Sequence, residues 1–214
     1  MPDPLNTSLN TPLSAVQIAA LLVLVLYLLA FFGGTALAAR AAGRPVWLFG
    51  QARGLDRLAV MSFRASFALG LLAPLIWALV PGLAGLDPLW SPGLSGLALP
   101  GVMLSVAGAM LGFAAQMAMG ASWRVGVSEG AVGALVSGGL YTISRNPTFV
   151  GQGALLTGVA CAVPSLPGIL AVLLFFIAAS VQIRTEEAFL ARTHGAEFEA
   201  FARRTPRWLG WPRG

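Results

Sequence analysis

Five long apolar runs, separated by short stretches of arginine, glycine and proline, organise the chain. Leu13 to Ala39 exceeds the roughly 20 residues a helix needs to cross a bilayer. It follows Asn10 and Pro12 with neither a basic leader nor a small-residue cleavage site, so it is expected to stay as a first helix. A second span is predicted over about Ser66 to Val80, entering as early as Leu58 because Arg64 can reach the interface. A third covers Leu94 to Met119, and Pro100 is expected to kink it near its start. The fourth, about Thr148 to Val163, and the fifth, Leu166 to Ile183, are joined by Pro164-Ser165-Leu166-Pro167-Gly168. That link is short enough to force an antiparallel hairpin.

Beyond Ile183 the pattern changes. Phe189, Leu190, Phe198 and Phe201 are spaced among Glu, Arg and His, a helix-like pattern broken at Gly195 and followed by Pro206, Trp208, Trp211 and Pro212. The tail is therefore expected to be an interfacial amphipathic helix with an aromatic anchor, placed where it can cap a site. On the third span, Gly101, Ser105, Gly108, Gly112 and Ala115 put small residues on one side, for close helix packing within the chain. The predicted fold is an all-α integral membrane protein of about five transmembrane helices. Residues 13–121 hold the first three, and 122–208 form a C-terminal core.

Composition agrees. Of 214 residues 57% are hydrophobic and 10% charged, with a mean hydropathy of +0.81, against about 25% charge in soluble domains. All thirteen basic residues are arginine, and they alternate by loop. Arg40, Arg44, Arg53, Arg57 and Arg64 fall in or beside the first loop, Arg124 and Arg145 in the third, and Arg184, Arg192, Arg203, Arg204, Arg207 and Arg213 in the tail. The positive-inside rule then predicts an outer N-terminus and a cytoplasmic C-terminus, as in a bacterial inner membrane. The net charge of +5 is too dispersed for a nucleic-acid face. Cys161 is the single cysteine and His194 the single histidine, so neither a Cys-based nor a His-rich metal site is expected.

Against this background Tyr141-Thr142-Ile143-Ser144-Arg145-Asn146-Pro147-Thr148-Phe149 is conspicuous, because polar groups beside apolar spans are expensive unless function holds them. The small residues Gly133-Ala134-Leu135-Val136-Ser137-Gly138-Gly139-Leu140 precede it and let backbone groups approach a ligand. Arg145 offers a planar charged fork, and Asn146 donates and accepts. Pro147 opens the fourth helix, where its missing N–H is tolerated. The hairpin returns Glu186 and Glu187 beside Arg145. Adjacent carboxylates on a helix point about 100° apart, so one is expected to face the site while the other pairs elsewhere. An Arg145–Glu lock without a ligand is the alternative. No P-loop, H-E-x-x-H or G-x-S-x-G occurs, and Gly151-Gln152-Gly153 lacks the third glycine of a dinucleotide fingerprint.

In order and spacing these elements resemble the isoprenylcysteine carboxyl methyltransferase and phospholipid methyltransferase superfamily of membrane enzymes. The resemblance runs through Leu135 to Tyr141, Arg145 to Gly151, Glu186-Glu187-Ala188-Phe189-Leu190, His194 to Phe198, Phe201 and Pro206-Arg207-Trp208, about Ser122 to Trp208. Ser122-Trp123-Arg124-Val125-Gly126 looks like a stretch of bacterial members. The resemblance implies S-adenosylmethionine held by Gly133, Ala134, Leu135, Val136, Tyr141, Asn146, Pro147, Thr148, Phe149 and Glu186. Arg145, Asn146 and Glu186 are then the catalytic candidates, and Trp123, Arg124, Gln182, Arg184 and Glu187 are expected to meet the acceptor. That acceptor is expected to be a lipophilic molecule or a lipidated carboxylate from the bilayer, with no metal and no nucleic acid involved. Asn146 stands where many members have histidine and Phe149 where many have tyrosine. Asparagine cannot shuttle a proton near neutral pH, which leans against an amine acceptor. Two rival readings are a sterol-reductase-like enzyme using NADPH, with Arg145 and Arg184 as the cations near its phosphate, and a non-enzymatic membrane protein.

Overall fold

The computed structural model describes residues 13–43, 54–90, 96–123 and 134–210, and among these every regular element is helical. The sequence-based expectations for Asn10, Pro12, Arg44, Arg53, Leu94, Arg124, Val125, Gly126, Gly133, Trp211, Pro212 and Arg213 lie outside the described residues.

Helix α1 spans Ala15–Ala42. Ser14 caps it, its hydroxyl accepting from the Gln17 N–H while the Gln17 side chain accepts from the Ser14 N–H at 2.9 Å, a reciprocal capping box. Helix α2, Gly54–Leu79, begins well ahead of the predicted Ser66. The charged residues at its start blur the apolar run but do not stop the helix. Asp56 instead accepts from the Thr185 hydroxyl at 2.8 Å and ties this first turn across the molecule. Helix α3 is Ala98–Met119. Pro100 falls in its first turn, where an N–H has no helical partner anyway, so the expected kink gives way to a helix start. Helix α4, Pro147–Ala162, has 16 residues and is about 24 Å long. Helix α5 runs Leu166–His194, on through the stretch read as a separate tail. Gly195, with φ 51°, turns the corner into α6, Ala196–Arg204, which buries Phe198 and Phe201.

Four of these helices, α1, α2, α3 and α5, are long and apolar enough to cross a membrane. Five long helices stand where five spans are expected, and the remaining one, the 16-residue α4, is shorter than the rest and packs on both α3 and α5.

The most extensive contact among the described helices is α3 on α4, and the small residues explain it. Gly101, Ser105 and Gly108 of α3 meet Gly151, Leu155, Gly158 and Ala162 of α4 backbone to backbone. A methyl group built on Gly101 would lie 2.6 Å from the Gly158 carbonyl oxygen. The small-residue side of the third span thus packs within the chain, as expected. Helix α5 packs on α2, and α1 on α3, while α1 and α2 touch little. At the end away from the arginine-rich loops, buried Asp87 knots the bundle. Its carboxylate accepts from Trp77 Nε1 at 2.9 Å, from the Leu89 N–H at 3.0 Å and from the Leu166 N–H at the start of α5 at 2.8 Å.

Candidate active site

The other end holds a cleft. Helix α3 closes with the short 3₁₀ turn Gly120–Ser122 and Trp123, and Ser122 donates to the Ala134 carbonyl at 3.2 Å, bringing both sides of that connection together. Ala134, Leu135 and Val136 then run along the cleft into a second 3₁₀ turn, Gly139–Thr142. From α4 come Thr148, Phe149 and Gln152. From α5 come Gln182, Glu186 and Leu190, whose four-residue spacing puts them on one face, with Glu187 beside them. Phe198 and Phe201 of α6 form a roof and pack with Tyr141. The space measures about 110 Å³ inside and about 950 Å³ with its open mouth counted.

Arg145 and Glu187 hold the cleft in shape. Arg145 Nε donates to Glu187 Oε1 at 2.9 Å, and both side chains are 12% exposed. Arg145 Nη1 donates to the Ala202 carbonyl at 2.8 Å and the Thr205 carbonyl at 2.6 Å. The other Glu187 oxygen accepts from Arg207 at 2.6 Å and 3.0 Å, which raises the Arg207 pKa above its ordinary value. Around this pair the backbone after α6 is strapped to the Arg145-Asn146-Pro147 turn. The Arg145 N–H donates to the Pro206 carbonyl at 2.9 Å, and Asn146 Nδ2 to the Arg207 carbonyl at 3.0 Å. Both adjacent carboxylates line the cleft, Glu187 making the lock and Glu186 acting on Tyr141 through its charge.

Tyr141 is buried, and its hydroxyl donates to the Ala115 carbonyl at 3.3 Å. Burial, reinforced by the negative charge of Glu186, pushes its pKa up to about 12. The Thr148 hydroxyl offsets part of that rise, yet its oxygen makes no hydrogen bond of good geometry. Gln182 Oε1 is likewise buried at the cleft without a partner. Buried polar atoms are nearly always paired, so Gln182 Oε1 is an acceptor open to a donor in the cleft, and the Thr148 hydroxyl beside Tyr141 can donate or accept there.

Most of the residues singled out from sequence meet here: Trp123, Ala134, Leu135, Val136, Tyr141, Arg145, Asn146, Thr148, Phe149, Gln182, Glu186 and Glu187 line the cleft. Pro147, buried at the start of α4, and exposed Arg184 do not line it. Trp123 is a wall, with its Nε1 donating to Thr35 Oγ1 at 3.2 Å and its ring edge-on to Phe31 at 5.8 Å. Sequence reasoning did not assign Phe31, Phe63, Met119, Gln152, Leu190, Phe198 or Phe201 to the site. Phe198 and Phe201 carried a signal in the tail's aromatic spacing. Gln152 carried one too, as a lone amide one turn after Thr148 in an apolar helix.

Residues 97–197, covering α3, α4 and α5, match the model of the phospholipid methyltransferase family. The match falls on the part of the chain whose motifs resemble the superfamily of membrane methyltransferases. Neither the curated proteins nor the solved structures contain a match to the chain.

Proposed function

We infer that this chain, whose residues 97–197 match the phospholipid methyltransferase family model, is an S-adenosylmethionine-dependent methyltransferase that acts on a lipophilic acceptor at the cytoplasmic face of the membrane. One observation carries the reading: Glu186 lines a cleft walled by Trp123, Tyr141, Phe149, Phe198 and Phe201, with unpaired polar atoms at Thr148 and Gln182. A carboxylate and aromatic faces suit a sulfonium cation, and the unpaired atoms suit the hydroxyl and ammonium groups of the same molecule.

When bound, the cofactor supplies an activated methyl group whose carbon–sulfur bond breaks as the acceptor's nucleophilic atom bonds to carbon, leaving a neutral thioether. The protein's contribution is placement and exclusion of water. Glu186 favours the cationic donor over the uncharged product. The Ala134–Val136 segment and Thr148 face the donor, and the Phe198–Phe201 roof keeps water out. Arg145 and Asn146 act as positioning residues, because their hydrogen bonds go to Glu187 and to the strap after α6. Asn146 is no base, and Tyr141 stays neutral. The acceptor therefore either arrives already deprotonated, as a carboxylate does, or gives its proton to water.

For a reductase, the cations expected near a nicotinamide phosphate are accounted for otherwise: Arg145 is committed to Glu187, and Arg184 does not line the cleft. Calorimetry on the purified protein tests the choice. S-adenosylmethionine should bind, and Glu186→Gln should weaken it about ten- to thirtyfold, the equivalent of about 1–2 kcal/mol for one charge contact near a surface. The thermal midpoint should fall by less than it does for Glu187→Gln. NADPH binding in its place, or no effect of Glu186→Gln, overturns the assignment.

A further inference from the structure

The Trp123 wall of the cleft is held from behind by a polar cluster that does not itself line the cleft. Thr35 of α1 and Gln116 of α3 meet between two membrane-crossing helices, 7% and 0% exposed. The Thr35 hydroxyl donates to the Phe31 carbonyl one turn back at 2.8 Å. Gln116 Nε2 donates to that same carbonyl at 2.9 Å and to Thr35 Oγ1 at 3.0 Å. A helical threonine divides between two rotamers, and the amide arriving from α3 fixes the one that bonds back to Phe31. With its proton and one lone pair committed, Oγ1 has one acceptor direction left, and Trp123 Nε1 takes it at 3.2 Å. Gly34 leaves room for the arrangement, since a Cβ there would lie 3.0 Å from Gln116 Nε2. Gln116 Oε1, meanwhile, is buried with no hydrogen-bond partner among the described residues. A stranded carbonyl oxygen inside a membrane span is costly and a leucine would avoid it, so the use of the amide lies in what it aims.

We propose that Thr35 and Gln116 are positioning residues of the transfer site, which hold the Trp123 indole in the one orientation that the methyl donor meets. The inference rests on the methyltransferase reading and adds to it two residues that touch no ligand. Trp123 and Phe31, whose rings stand at 86° to each other, both line the cleft, and both are tied to the cluster, one through its indole N–H and the other through its carbonyl. A wall already ordered in the free protein spares the binding step that ordering. An untethered indole must be immobilised when the donor arrives, which weakens binding about three- to tenfold for one large side chain. Thr35 lies outside residues 97–197, so α1 shapes the site although the family match does not reach it.

The test uses the full chain in detergent with 5-fluorotryptophan in place of its six tryptophans, the Trp123 resonance being identified by its loss in Trp123→Phe. Before any ligand is added, the parent should give one sharp fluorine line for Trp123. Thr35→Val should broaden or split that line, and Thr35→Ser, which keeps the hydroxyl, should restore it. Calorimetry should find S-adenosylmethionine bound about three- to tenfold more weakly by Thr35→Val and by Gln116→Leu. Gln116→Leu removes the stranded oxygen and leaves Thr35 and Phe31 their other contacts, so its thermal midpoint should equal or exceed the parent's. In a Trp123→Phe background, Thr35→Val should change affinity by less than about twofold, because the group it orients is gone. Full additivity in that background, a Trp123 line that stays sharp in Thr35→Val, or a Gln116→Leu protein that loses stability and keeps its affinity overturns the positioning role. If the fluorine line responds as expected while the parent binds no S-adenosylmethionine, the methyl-donor reading fails and the indole clamp stands.

Discussion

Adding one methyl group at Gly151 tests the seam between α3 and α4 and, through it, the cleft. The new Cβ of Gly151→Ala would stand 2.6 Å from the Gly108 carbonyl oxygen and 2.6 Å from Gly112 Cα. Carbon atoms pack at about 3.5–4.0 Å, so the helices must separate by about 1 Å, and the obstacle is backbone that cannot rotate away. Overpacking of this kind costs about 1–3 kcal/mol, and contact with backbone puts Gly151→Ala at the upper end. At about 2–4 °C per kcal/mol for a chain of this size, the thermal midpoint in detergent should fall by about 5–10 °C. Helix α4 also carries Thr148, Phe149 and Gln152 into the cleft, so S-adenosylmethionine affinity should drop as well. Gly33→Ala is the control, since a Cβ there meets nothing, and it should stay within about 0.5 kcal/mol of the parent. An unchanged midpoint for Gly151→Ala refutes the backbone-to-backbone seam. A stable monomer that has lost a dimer would assign the glycines to contacts between copies instead.

Glu187→Gln should act mainly on stability, lowering the midpoint by the equivalent of about 2–4 kcal/mol, because it leaves the largely buried Arg145 without its counter-charge. Scanning calorimetry of the two variants side by side distinguishes lock from ligand site. Asp87→Ala strands the Trp77, Leu89 and Leu166 donors and should cost about 2–3 kcal/mol, while cofactor affinity, set at the opposite end, stays level. Tyr141 should ionise near 12 in the folded protein against 10.0 unfolded. Its neutral form therefore contributes fully below pH 10, and that contribution is lost as pH rises toward 12. Ultraviolet titration of Tyr27→Phe, which leaves Tyr141 as the remaining tyrosine, reads this directly.

The hairpin and most of the cleft were legible because their signals are local. Pro164 to Gly168 can only turn back, and the Arg145-Asn146-Pro147 turn and the two glutamates are costly enough beside lipid to stand out. The end of α5 was misplaced for the opposite reason. Hydropathy falls at Arg184, Glu186 and Glu187, yet the helix continues because Asp56 and Arg145 from other elements meet those turns. Phe31 and Phe63 were invisible, being two aromatics among many in spans apolar on every side. Which face of such a helix points inward is decided by its partners. The choice between Glu186 and Glu187 as lock was open for a similar reason, since it depends on Arg207, twenty residues further on.

The strap after α6 bears on how the molecule is made. Thr205, Pro206 and Arg207 are made after every described residue that lines the cleft and after all four membrane-crossing helices. Until then Arg145 lacks the Thr205 carbonyl and Glu187 lacks Arg207. A cut just after His194 keeps every membrane-crossing helix but removes the Phe198–Phe201 roof and the strap together, leaving an open-topped bundle.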